Sequence, residues 1–142
     1  MKTVTMLVTF IVLICALASC KKEPLISNAE LVQGEWLLDS FKQDELKEGQ
    51  LIDSETTNTK SDNFALLFLP DNTYVQLTND QPGSGGIWRM NIPQDSLFLV
   101  SGTELINFKI QDLNSRSMQL QQEELSELQT GLRTTFYFSK NQ

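Results

Sequence analysis

The chain has 142 residues and a formal net charge of −7, with no histidine and two cysteines. That acidic balance argues against nucleic acid and anionic headgroups as partners, since both ask for a basic footprint. Without histidine, the commonest general base, the usual partner of a nucleophilic serine and the commonest transition-metal ligand are all missing.

Met1-Lys2-Thr3 gives a short positive start, and Val4 to Ala18 is apolar apart from Thr5 and Thr9. Crossing a bilayer takes about 20 apolar residues, so this shorter run reads as the h-region of a signal peptide, to be kept out of fold reasoning. It ends in Leu17-Ala18-Ser19-Cys20 and gives way abruptly to Lys21-Lys22-Glu23-Pro24. These residues resemble the lipobox of bacterial lipoproteins: a branched apolar residue, two small residues, then the cysteine that is acylated. The resemblance implies cleavage before Cys20 and a membrane anchor on that residue. A single acyl chain holds a protein only marginally, and lipoproteins of this type carry three. Lys21 rather than aspartate after the cysteine implies transfer to the outer membrane. Cys15 lies in the leader, so the mature domain has no cysteine left for a disulfide, a thiolate nucleophile or a zinc site.

The rest reads as strands between turns. Glu35 to Lys42 is a first strand, with Trp36, Leu38 and Ser40 on one face. Gln43 to Asp62 is a long polar connection, with room for a helical turn at Asp44 to Glu48. Phe64 to Leu69 is apolar on both faces, Pro70-Asp71-Asn72 is a turn, and Thr73 to Leu77 returns. Asn79 to Gly86, with Pro82 and three glycines, reads as a flexible loop. Ile87 to Ile92 is a strand that puts Trp88, Met90 and Ile92 on one face. Pro93-Gln94-Asp95 turns the chain into Leu97 to Ser101. Leu105 to Gln111 follows with Ile106, Phe108 and Ile110 together, then Ser117 to Gln121 with Met118 and Leu120. Gln122 to Thr130 is polar, either a short helix stopped by Gly131 or a long loop. Leu132 to Lys140 closes the chain, with Thr134, Phe136 and Phe138 facing one way.

About eight short strands at regular spacing point to an all-β sandwich or barrel. Apolar first and last strands favour an antiparallel meander closed into a barrel, because closure removes exposed edges. Residues 1–19 are then the leader, 20–30 the lipidated cysteine and tether, and 31–142 one domain. Gly34-Glu35-Trp36 after Leu31-Val32-Gln33 resembles the Gly-x-Trp start of lipocalins. Leu67-Phe68-Leu69 with Asp71-Asn72-Thr73-Tyr74, Gly86-Ile87-Trp88 and Asp95-Ser96-Leu97-Phe98-Leu99 are similar to the lipocalin-like lipoproteins of Bacteroidetes. The resemblance covers Glu30 to Lys140, although the Thr-Asp-Tyr element of classical lipocalins is absent. It implies a lid over the barrel mouth at Gln43 to Asp62, and Arg133 in the place of the late arginine that packs over Trp36.

Such a barrel has room for one small ligand or for its own side chains. A ligand reading, resting on analogy, makes Trp36, Phe64, Phe68, Trp88, Met90, Phe108 and Phe136 the walls of an apolar site. The alternative is that Trp36, Phe64, Phe68, Trp88, Phe98, Phe108, Phe136 and Phe138 fill the interior, and the density of protein cores favours it. The chain would then dock on an envelope protein, with Asp44 to Glu48 and Glu123 to Glu127 as contacts. The carboxylate pairs Asp71 with Asp95 and Glu123 with Glu127 sit in turns or polar loops, so acid–base catalysis is not expected. Asp71-Asn72 and Asn79-Asp80 do not continue as calcium loops, and Gly83-Ser84-Gly85-Gly86 lacks the lysine and helix of a phosphate cradle. No cofactor and no metal is expected.

Overall fold

The computed structural model describes residues 26–141. The leader and the residues Leu17, Ala18, Ser19 and Cys20 lie outside the described residues. A one-turn helix, α1 (Asn28–Leu31), comes first. It starts from a reciprocal cap in which Glu30 N–H donates to Ser27 Oγ and Ser27 N–H donates to the Glu30 carboxylate. Each bond satisfies a backbone donor that a helix start otherwise leaves orphaned.

Nine strands follow among the described residues: β1 (Gly34–Lys47), β2 (Gln50–Asn58), β3 (Phe64–Phe68), β4 (Thr73–Thr78), β5 (Gln81–Met90), β6 (Ser96–Ser101), β7 (Glu104–Leu113), β8 (Ser117–Leu125) and β9 (Gly131–Lys140). All pair antiparallel with their neighbours, and β1 also pairs with β9. Eight strands therefore close a lipocalin-like barrel, and β2 is an extra strand attached to β1. Alternation sets which side chains enter. Trp36, Leu66, Phe68, Trp88, Leu97, Leu99, Phe108, Met118, Leu120 and Phe138 form the core, with Phe64, Met90, Ile106 and Phe136 packed partly buried against it. Phe68 meets Trp88 edge-on at 6.0 Å and Tyr74 at 6.3 Å.

Several sequence expectations are corrected. Gln43 to Asp62 is neither a lid nor a helical turn: β1 runs on to Lys47, β2 returns along it, and a 3₁₀ turn (Lys60–Asp62) leads into β3. Alternating apolar residues are lacking there because β2 is exposed along its whole length. Asn79 to Gly86 is not a flexible loop but mostly the first half of β5. Its glycines serve close approach, since a Cβ on Gly86 would run into the Val100 carbonyl and one on Gly85 into the Tyr74 carbonyl. Gln122 to Thr130 holds the end of β8 and a turn rather than a helix. Ile92 lies beyond β5 and is fully exposed. Phe98 points outward, opposite Arg89, whose guanidinium sits 5.5 Å from its ring centre.

The two ends of the domain are locked together at the barrel floor. Val32 is buried, and its carbonyl accepts from Trp36 Nε1 at 2.7 Å. Lys140 Nζ lies 4.9 Å from the Trp36 ring centre and donates to the carbonyls of Gln33 and Leu31 at 2.7 and 3.2 Å. The cation over Trp36 is therefore Lys140. Arg133 stands seven residues earlier on β9, opposite Asp44, and pairs with Glu123 at 2.7 Å. Gly34 leaves room for the lysine stem: a Cβ there would lie 2.9 Å from Lys140 Cε, and its φ of +108° suits glycine. Lys140→Met keeps the stem and deletes the ammonium, leaving two carbonyls without their donor. It should lower unfolding free energy by about 1–3 kcal/mol, measured by urea denaturation followed by tryptophan fluorescence.

Candidate functional site

The barrel is sealed at the floor and divided above it. The cause is a bulge in β1 between Leu38 and Ser40, which shifts the register against β9. Below the bulge, Gly34 to Leu37 pair with β3; above it, Ser40 to Lys47 pair with β2. Thr59 pins the changeover, its N–H donating to Asp39 O at 2.9 Å and its hydroxyl to Leu38 O at 3.0 Å. The other edge of β2 pairs with nothing among the described residues. Past β9 on the other side of β1, the pairing of β7 with β8 ends at Lys109 and Gln121. A cleft of about 290 Å³ opens there, lined by Asn107, Lys109, Gln121, Gln122 and Glu123.

The upper half of β1 thus belongs to a four-stranded leaf, β2-β1-β9-β8. Its register brings three rows of residues onto the face continuous with the barrel interior. Lowest are Thr57, Phe41, Phe136 and Leu120; next Glu55, Gln43, Thr134 and Gln122; highest Asp53, Glu45, Leu132 and Glu124. Phe136 joins this face to the core, lying 5.7 Å from Phe108 edge-on and 6.2 Å from Phe41. Leu120 is buried, Phe41 and Phe136 are half-buried, and in the top row Leu132 is 42% exposed. The interior face therefore emerges into solvent as it rises.

Charge is divided between the two faces of the leaf. On the outer face, Lys42 Nζ reaches Asp44 Oδ1 at 2.9 Å and Arg133 Nε reaches Glu123 Oε1 at 2.7 Å. The Asp44 carboxylate, only 8% exposed, also accepts from Ser54 Oγ at 2.7 Å. Asp44 is thus a buried acceptor rather than an exposed loop carboxylate. Hydrogen bonds from Lys42 and Ser54 hold its pKa below the ordinary aspartate range. On the inner face, Glu45, Asp53, Glu55 and Glu124 join none of the ion pairs among the described residues.

The residues proposed for a ligand site belong to the barrel core or pack against it. Trp36, Phe68 and Trp88 are buried in the lower core, and Phe108 sits just above them. Phe64, Met90 and Phe136 pack partly buried against that core. None of the seven lines the cleft between β7 and β8. Asp71 and Asp95 belong to separate turns. The Thr73 hydroxyl and N–H donate to Asp71 at 2.6 and 3.0 Å, and Asn91 Nδ2 and Ser96 Oγ donate to Asp95 at 2.6 and 3.1 Å. Those bonds lower both pKa values, so each carboxylate is an ionised turn acceptor near neutral pH. No group of three or more metal-ligating side chains converges among the described residues. The β1–β2 half of the leaf carries no apolar alternation in sequence, since Gln43, Glu45 and all of β2 are exposed. Compared with protein-family models and with curated proteins, the chain finds no match.

A depressed folded pKa gives stability that is present above the ordinary aspartate value and lost as pH falls through the folded one. Asp44→Asn should therefore destabilise the protein most at neutral pH. The gap from the parent should shrink as the pH falls below about 4, as followed by denaturation at a series of pH values. A gap independent of pH would contradict the assigned role of the ionised carboxylate.

Proposed function

We propose that this chain is a lipid-anchored envelope lipoprotein of the lipocalin-like kind, held in the outer membrane through Cys20, whose barrel is a non-enzymatic docking module. The observation that carries the docking reading is the state of the interior. Trp36, Phe68, Leu97, Met118 and Leu120 are each less than 2% accessible. Phe68 is in aromatic contact with both Tyr74 and Trp88. Packing of that density leaves the outer surface and the upper leaf for recognition, rather than a cavity at the barrel centre. The anchor is supported by the sequence alone: the apolar leader ending in Leu17-Ala18-Ser19-Cys20 and the charged residues that follow. Three acyl chains on one cysteine give a membrane attachment that a single chain does not.

Two measurements test these halves separately. Cys20→Ser should move the protein from the membrane fraction to the soluble fraction of cells, without changing the melting temperature of the purified domain. Against a panel of lipids and apolar dyes, the purified mature protein should show no thermal shift and no adduct in native mass spectrometry. A saturable small-molecule adduct abolished by Trp88→Ala, with the fold retained, would replace docking by ligand carriage.

A further inference from the structure

β2 is a nine-residue edge strand with every residue exposed and a partner on one side only. Its free edge, about 30 Å long, pairs with no other strand among the described residues, although Ser54 N–H donates to Asp53 Oδ1 at 2.8 Å. Such edges are ordinarily guarded by lysine, proline or a bulge that turns them away. The sequence Gln50-Leu51-Ile52-Asp53-Ser54-Glu55-Thr56-Thr57-Asn58 contains no lysine, arginine, proline or glycine. Its one bulge is at Ile52, which has no partner on β1 between Asp53 opposite Glu45 and Leu51 opposite Leu46, close to the hairpin end. The rest of the edge is straight template. The charges it carries are two carboxylates, Asp53 and Glu55, both on the inner face with Glu45; Lys42 and Arg133 are engaged on the other face, and Lys47, which alternates onto the inner face, joins none of the ion pairs among the described residues.

We propose that this edge accepts, as an added strand, an extended segment of a partner protein that carries lysine or arginine at alternate positions. The proposal rests on the docking reading above and names its surface and its partner's chemistry. Backbone hydrogen bonds to the free edge supply binding independent of sequence, and side chains on alternate faces supply selectivity. Two basic residues spaced two apart stand opposite Asp53 and Glu55 and also neutralise the neighbouring Glu45. Residues of the other parity lie beside Ile52, Ser54 and Thr56, where Ile52 is 54% exposed and takes an apolar neighbour. Charge complementarity also separates this occupant from a second copy of the chain. Two β2 strands paired about Ser54 set Asp53 against Glu55, and like charges directly opposite destabilise a strand pair. The same acidic face that discourages self-pairing thus favours a basic strand.

The test uses the full mature chain with Cys20→Ser and a synthetic peptide of alternating lysine and valine. Two controls accompany it, one with glutamate for lysine and one with proline at alternate positions. Binding of the lysine–valine peptide should slow amide hydrogen exchange across Gln50 to Asn58, while both controls leave exchange unchanged. Asp53→Lys with Glu55→Lys should weaken binding by roughly tenfold or more, since two cross-strand pairs change from attraction to repulsion. The melting temperature shows whether that variant is folded, and Glu55→Gln alone gives a milder loss if it is not. Absence of peptide binding, binding without protection of β2, or equal binding by the reversed-charge variant would each overturn the proposal. Photo-crosslinkers placed on β2 and on the outer face of β6 in intact cells keep the two readings apart. Capture from β6 with β2 silent overturns the edge proposal and keeps docking, whereas silence at both overturns docking itself.

Discussion

The contact between Lys140 and Trp36 is where the chain becomes a barrel. A meander of strands is an open sheet until its last strand meets its first, and here that meeting runs from Trp36 opposite Lys140 to Leu46 opposite Gly131. Lys140 adds what strand pairing alone does not provide. Its ammonium takes two carbonyls from the segment that enters the barrel and lies over the ring that fills the floor. The Trp36 indole is in turn tied to Val32 O, so α1 is held under the barrel by the same group of residues. Asn28 and Ala29 add two bonds to Gln94 in the turn between β5 and β6, 2.8 and 3.3 Å long, joining the helix to the opposite wall. A start and an end that lie more than a hundred residues apart are thereby fixed to each other.

Fixing the floor leaves the top free to differ from a plain barrel. Once β1 passes its bulge at Asp39, its outer neighbour changes from β3 to β2, and Thr59 holds the changeover through the two carbonyls the bulge exposes. One consequence is mechanical: the leaf β2-β1-β9-β8 continues upward from a rigid base. The other is chemical. Above Phe41 and Phe136 the interior face no longer has a wall opposite each residue, so it carries Gln43, Glu45 and Glu55 in place of aromatics. On the other face Lys42 and Arg133 serve Asp44 and Glu123. The docking proposal follows from this division between a packed base and an open, acidic leaf.

Much of the fold was legible in the sequence because burial leaves a period of two. The pairs Trp36–Leu38, Met118–Leu120 and Phe136–Phe138 are inward in the structure, as their alternation indicates. The turns at Asp71-Asn72 and Asn114-Ser115-Arg116 are where side-chain acceptors place them. What was missed lies where burial does not pattern the chain. β2 has no buried residue, so nothing marks it as a strand except its threonines and its pairing with β1. The glycines before Trp88 look like flexibility in sequence, yet in space they are clearance for the carbonyls of neighbouring strands. Choosing Lys140 over Arg133 required the register of β9, which sets Lys140 opposite Trp36 and Arg133 opposite Asp44. The candidate aromatic site was legible as a set of inward residues; that they pack against one another is a matter of volume, and no pattern of residue types reports it.

Residue-resolved hydrogen exchange on the free mature domain addresses the sealed base and open leaf together. Amides of Trp36, Leu38, Met118, Leu120 and Phe138 should exchange only through global unfolding. Those of β2 that point away from β1 should exchange within the earliest time points. Protection of the outward β2 amides as strong as that of the β9 amides would show the edge to be covered, and the division between base and leaf would be wrong.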